Sequence, residues 1–254
     1  MSNAVEKLIL AASKLRDESE VFARRLENDG IADCVYTPLM YAWQLHEAYI
    51  RLAGGSGAKA ILLGMNPGPH GMGQMGIPFA ATSVVRNLLK ISDIEVGQPA
   101  RKHQNRTING LMHPKEEVSG SRLWRVLSQR YGSASQIFRN VFVLNHCPLM
   151  IFSGPRGTNI TPNNISGNVV DELLATCDEH LRQVVTSLGA NKVIGVGKYA
   201  ESRAIKALSG TQITILSCWH PSPASPLANR NGGADWRDVL LLLLLLIGLC
   251  TCLC

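Results

Sequence analysis

The chain has 254 residues, enough for one large or two modest domains. Apolar types make up 46% and charged types 17%, a globular balance that excludes a disordered, tail-like polypeptide. The formal charge is +6, and residues 86–130 carry most of the surplus with nine basic and four acidic side chains, a zone that favours a polyanionic partner.

In chain order, two helical patterns come first, Ala4–Glu27 and Thr37–Ala53, separated by the stop signal Asp29-Gly30. The mixed charge of Met1–Asp17 reads as an amphipathic helix and not as a signal peptide. After Gly54–Gly57 the period changes, and Lys59–Met65 is a short apolar run that reads as a buried strand. Asn140–Asn145, Lys192–Val196 and Gln212–Leu216 repeat the signature, with helical patterns at Ser83–Ile91, Ser121–Tyr131, Val169–Leu188 and Tyr199–Leu208 between them. Continuously apolar strands alternating with helices imply a parallel sheet covered on both faces. The expected fold class is therefore α/β, a three-layer α/β/α arrangement around a mainly parallel four-stranded sheet, in one domain over residues 1–238.

Residues 239–254 form an atypical hydrophobic tail. Leu240–Leu246 is unbroken and Cys250, Cys252 and Cys254 alternate after it. Its sixteen residues fall short of the roughly 20 that a spanning helix needs, so a buried terminal segment, or an alternative C-terminus replacing an amphipathic helix, is expected in place of an anchor. The other cysteines, Cys34, Cys147, Cys177 and Cys218, stand singly without a CxxC pair or zinc-finger histidines, which implies free thiols in a reducing compartment.

Ligands of such sheets sit at the carboxyl ends of the strands, and three of those ends are unusual. The first opens into Gly64–Phe79, whose five glycines and three prolines allow neither helix nor strand. It lacks the Gly-Lys-Ser/Thr of a phosphate loop. The second end carries Asn145-His146-Cys147-Pro148, and the last runs into Trp219-His220-Pro221-Ser222-Pro223, a proline-stiffened loop reaching Arg230. Each alone is as readily a structural turn. Their convergence on one rim raises the expectation of a site.

Gly64-Met65-Asn66-Pro67-Gly68-Pro69, with Met72, Gly76 and Pro78-Phe79, is similar to the first motif of the single-strand-selective monofunctional uracil-DNA glycosylases. His220-Pro221-Ser222-Pro223 resembles their second motif, and Asn145 before Cys147-Pro148-Leu149 matches their base-reading asparagine. The likeness runs from about Tyr36 to Ala228. It implies that Phe79 stacks on an everted uracil, that the Asn145 amide pairs with its O4 and N3–H edge, and that the Met65 backbone adds a contact. Gly68 and Met72 would shape the wall at the pyrimidine 5-position. His220 would stabilise the anion growing on O2, and Asn66 would position the attacking water. Arg156, Asn159 and Thr161 of the polar loop Ser153–Gly167, together with Pro221, Ser222, Pro223 and Arg230, would contact DNA. Neither motif contains a lysine, so no Schiff base with the sugar and no strand cleavage are expected.

The resemblance further implies a monomeric nuclear enzyme of base excision repair acting on uracil, 5-hydroxymethyluracil and related oxidised pyrimidines in single- and double-stranded DNA. No metal, cofactor or membrane partner is expected. Three departures stand out: Ala224-Ser225 where the family often has a large basic side chain, His70 where an aromatic Phe is expected, and the leucine tail. The first and third keep open a second reading, a non-catalytic nucleic-acid-binding protein on the same fold.

Overall fold

The computed structural model describes residues 3–248. Its centre is the expected four-stranded sheet, built from β2 (Ala60–Gly64), β3 (Val141–Asn145), β6 (Lys192–Val196) and β7 (Thr214–Cys218) in the order β3-β2-β6-β7, every pairing parallel. Ala60–Gly64, Val141–Asn145 and Lys192–Val196 are buried along their whole length, as their unbroken apolar composition requires. The edge strand β7 is half-buried and starts two residues later than its apolar pattern suggests.

Helices cover the sheet. The chain opens with α1 (Asn3–Asn28), which packs along α7 (Asn168–Leu188). The expected helix over Thr37–Ala53 is interrupted at Ala42, giving α2 (Pro38–Tyr41) and α3 (Trp43–Ala53). A short α4 (Met72–Met75) lies inside the glycine-proline loop. Next come α5 (Val118–Tyr131), α6 (Ala134–Phe138) and α8 (Lys198–Ala207), which packs on β6 and β7. The pattern at Ser83–Ile91 forms only one π-helical turn, Val84–Leu88, because the chain reverses at Lys90 and Asp93 with φ of 56° and 58°.

A second sheet was not foreseen. β1 (Cys34–Tyr36), β4 (Met150–Ser153) and β5 (Thr158–Ile160) pair antiparallel in the order β1-β4-β5. The polar loop 153–167 therefore holds a strand, followed by a 3-10 turn at Pro162–Asn164 whose capping box joins Thr161 and Asn164.

The tail folds as far as it is described. Ala234–Gly248 is α9, which sets Trp236, Leu240, Leu244 and Ile247 inward at helical spacing, against α5 and β7. Leu242 and Leu245 remain 59% and 51% exposed, so packing, not composition, makes this leucine run amphipathic. Each fully buried leucine contributes about 1.5–3 kcal/mol, which is why one face suffices to dock it. Among the described residues no helix is long and apolar enough to cross a membrane. Cys250, Cys252 and Cys254 lie outside the described residues. The remaining four cysteines are buried free thiols.

Candidate active site

The parallel register sets Gly64 beside Asn145 at the carboxyl ends of β2 and β3. A Cβ at Gly64 would collide with Asn145 Oδ1 and with the Phe79 ring, so this glycine is what allows both groups to close over the strand end. Asn145 is buried, and its Nδ2 donates to Met72 Sδ at 3.2 Å. Asn66 follows the same strand end, its Nδ2 donating to the Leu149 carbonyl at 3.4 Å. Among the described residues Asn66 Oδ1 has no protein partner, which leaves that oxygen as the free acceptor of the amide.

Phe79 adopts φ = 52°, a left-handed conformation that costs a bulky residue of order 1–3 kcal/mol. Its backbone is held there from α5. Trp124 Nε1 donates to the Phe79 carbonyl at 3.1 Å, and Gly120 lies so close to that carbonyl that a Cβ would overlap it. Gly120→Ala is accordingly expected to lower stability by about 1–3 kcal/mol, as overpacking does. By pushing on the Phe79 carbonyl the added methyl should also displace the ring and slow turnover by about ten- to a hundredfold. Thermal melts and single-turnover rates check both, and wild-type values of either would remove the proposed grip.

His220 stands just beyond β7. The strand end beneath it is tied to Gly197 N through the Cys218 carbonyl at 2.8 Å, and to Trp236 Nε1 of α9 through the Trp219 carbonyl at 2.7 Å. The imidazole lies 5.9 Å from the Phe79 ring, centroid to centroid, tilted by 32°. Burial pushes its pKa down to about 4, so the ring is neutral at physiological pH. Among the described residues neither ring nitrogen has a partner, so one N–H donor is available.

These groups share one cavity of about 440 Å³. Its walls include Met65, Asn66, Gly68, Met72, Phe79, Asn145, Asn159, Thr161, His220 and Ser222 of the residues anticipated from sequence. Asn159 Oδ1 is buried without a partner among the described residues, an unmet acceptor on this wall. Four anticipated residues are not walls of the cavity. Arg156, Pro223 and Arg230 are exposed outside it, and Pro221 is buried with its carbonyl accepting from Arg122 Nη1 at 3.1 Å. Arg122 also bonds Asn229 Oδ1 at 2.8 Å, and Asn229 Nδ2 reaches the carbonyls of Pro223 and Ser225, both at 2.7 Å. This lattice makes the rim 221–230 rigid, with Ala224 and Ser225 at its mouth.

Sequence reasoning missed Glu117, Arg122 and Asn229. Glu117 is a cavity wall and caps α5 by accepting from Ser119 N at 3.4 Å, while its Oε2 lies against Gly68. Burial raises its pKa, outweighing the hydrogen bonds from Ser119. The acidic pair Glu116-Glu117 just ahead of the helical pattern at Ser121–Tyr131 is the signal that could have located the cap. Behind the site, His146 bonds the Tyr199 hydroxyl at 2.8 Å and Asp178 Oδ1 at 2.9 Å, and Arg203 clamps Asp178. This buried network anchors the chain directly after Asn145.

A cleft at the ends of parallel strands, with two carboxamides, an aromatic ring and a neutral imidazole, is the arrangement of enzymes that bind a planar base and labilise its bond to a sugar. The sequence matches the Uracil DNA glycosylase superfamily over residues 53–240. The chain belongs to that superfamily, and within it to the single-strand selective monofunctional branch. It is 38% identical over 229 residues to the single-strand selective monofunctional uracil DNA glycosylase of Bos taurus, covering 89% of this chain and 82% of that protein. The counterpart from Rattus norvegicus is 40% identical over 208 residues, 81% of this chain and 74% of its own. The crystal structure of wild-type Pedobacter heparinus SMUG2 has the same fold, with a TM-score of 0.59 at 16% identity, covering 84% of this chain and 87% of that one.

Proposed function

We propose that the chain hydrolyses the N-glycosidic bond of deoxyuridine everted from DNA, releasing free uracil and leaving an abasic site for base excision repair. The observation that carries this reading is the meeting of Asn66, Asn145, Phe79 and His220 in one cavity. Eversion costs a few kcal/mol in a duplex and less in a single strand. Stacking on Phe79 returns about 1–3 kcal/mol. The Asn145 amide offers both a donor and an acceptor to the O4 and N3–H edge, whereas cytosine would leave both groups unpaired.

Cleavage takes the C1′–N1 electron pair onto the base, where negative charge gathers on O2. A neutral His220 donates to that oxygen without a proton transfer. Water held by Asn66 Oδ1 adds its oxygen to C1′, and the proton it sheds passes through solvent to the departing uracil anion, leaving neutral uracil and a C1′ hydroxyl. The Glu117 carboxylate, when ionised, adds a negative potential that favours the cationic sugar. Both single- and double-stranded DNA are proposed substrates. The small Ala224 and Ser225 at the mouth support a preference for single strands, where no vacated stack needs filling. Gly68 and Met72 leave the 5-position wall to main chain and a flexible thioether, which supports 5-hydroxymethyluracil and related oxidised pyrimidines as further substrates. Buried free thiols support a reducing compartment, and the nucleus is the proposed one, with the protein acting as a monomer.

The test is product analysis on oligonucleotides bearing uracil or 5-hydroxymethyluracil in both strand contexts. Free base with an intact sugar-phosphate chain is the expected product. Salt-sensitive binding with no base released at enzyme excess would replace this reading by the non-catalytic one. Asn145→Asp should reduce uracil excision by about tenfold to a hundredfold, since a carboxylate cannot donate to O4 and a lost pairing of this kind costs about 1–3 kcal/mol. Unchanged excision would show that Asn145 does not read the base.

A further inference from the structure

A second cavity of about 260 Å³ adjoins the catalytic one, with Pro69 as a wall of both. His70, Asn105, Arg106, His113 and Lys115 line it. Its floor is fixed to the loop that carries Asn66, because the buried Gln74 donates to the carbonyls of Pro69 (2.9 Å) and Thr107 (3.1 Å) and accepts from Asn109 N (2.8 Å). His70 makes a polar contact here that an apolar ring could not. His70 Nδ1 and His113 Nε2 are 2.9 Å apart, with the rings stacked at 5.1 Å and 19°.

Two neutral imidazoles hold two N–H protons, one of them in the shared bond. One outer nitrogen is then a donor and the other is bare. The buried His113 Nδ1 has no partner among the described residues. A single added proton keeps the shared bond and turns both outer nitrogens into donors, with a positive charge between them. Desolvation disfavours that proton most, followed by Lys115 and Arg106 at His70, and by His70 itself and Lys115 at His113. Among the described residues no carboxylate lines the cleft. The acids nearby in sequence turn elsewhere, Glu116 to Ser83 N and Glu117 to the catalytic cavity. An anion seated here would attract the added proton directly and offset both the desolvation and the two cations.

Resting on the reading of the main cavity as a DNA glycosylase site, we propose that this cleft binds a backbone phosphate of the DNA strand next to the everted nucleotide, and that the His70–His113 pair takes up one proton as it does so. Arg106 is ready for the role. Its Nε is spent on the Gly157 carbonyl at 2.7 Å and its guanidinium lies over Phe152, which leaves its terminal nitrogens to the cleft. DNA affinity then carries a proton linkage that His220 does not supply, because that imidazole stays neutral over the same range.

The experiment measures binding of the full chain to a single-stranded oligonucleotide containing 2′-fluoro-deoxyuridine, at constant ionic strength from about pH 6 to about pH 8. The expected wild-type affinity falls as pH rises, by up to tenfold per pH unit. The His70→Gln, His113→Asn double variant, which keeps polar groups but not the titration, should show a flat profile. Replacing single phosphates by neutral methylphosphonates needs no variant, and one position beside the analogue should flatten the wild-type profile in the same way. Imidazole NMR separates the two sources of phosphate. The His70 and His113 titrations should move up with the oligonucleotide and stay put with inorganic phosphate at equal concentration. A flat wild-type profile, a slope that survives the double variant or every phosphate replacement, or an equal response to inorganic phosphate would each overturn the proposal.

Discussion

His220→Ala is expected to lower the single-turnover rate of uracil release about 10²–10³-fold, the usual cost of removing one donor aimed at a developing oxyanion. Binding of uncleaved DNA should change little, because the donor acts mainly on charge that appears in the transition state. Asn66→Ala should cost about a hundredfold or more by releasing the attacking water from its position. The protonation state sharpens the test. Since burial holds His220 near a pKa of about 4, the imidazole is already neutral across the neutral range, and the rate should not fall as pH rises through about 6.5. A decline with the midpoint of an ordinary histidine would mean that an imidazolium does the work. Single-turnover rates between about pH 6 and about pH 8.5 decide this.

The second large effect concerns stability. Two buried histidines, His46 and His180, and the half-buried His220 have pKa values pushed down by desolvation to about 4, about 3 and about 4. In the unfolded chain each returns to about 6.5. Between those limits the unfolded state binds protons that the native state refuses, so stability falls as pH falls. Each histidine contributes a slope of up to about 1.4 kcal/mol per pH unit, and together they remove about 6 kcal/mol between pH 7 and pH 5. Because whole domains are stable by only about 5–15 kcal/mol, cooperative unfolding is expected near or just below pH 5. Asp178 acts in the same direction. Burial alone would raise its pKa, but His146 and Arg203 outweigh that and hold it low, so its contribution too is lost in acid. Denaturant midpoints at the two pH values measure the loss. His180→Leu, remote from the cavity and without a ring partner at Nδ1 among the described residues, should recover about a third of it. Equal midpoints at both pH values would contradict the buried, uncharged state of these rings.

Much of the architecture is legible because one physical constraint writes it plainly: strands buried on both faces must be apolar throughout. The antiparallel sheet β1-β4-β5 carries no such mark. Its strands are three or four residues long, and their pairing joins Cys34 to Phe152 across more than a hundred residues. The Ser83–Ile91 pattern misleads because its apolar period reflects burial of Val85 and Leu89, which one turn can also supply. Within the site, Asn66, Phe79, Asn145 and His220 are visible because glycines and prolines frame them. Glu117 and the Arg122–Asn229 lattice are not, since they depend on α5 arriving at the rim from a distant part of the chain. The tail's leucines, uniform in sequence, divide into two faces only when α5 and β7 are there to select one.

The Phe79 backbone is held by its carbonyl, which Trp124 and Gly120 grip. Position 79 can therefore be recut with the platform left in place. Leucine would project from the same peptide and deepen the recess below a guest base, whereas a ring larger than phenyl would press on Gly64 beneath it. Enlarged or fluorescent nucleobases could be accommodated by exchange at this one residue, with the strand ends and the imidazole opposite left untouched.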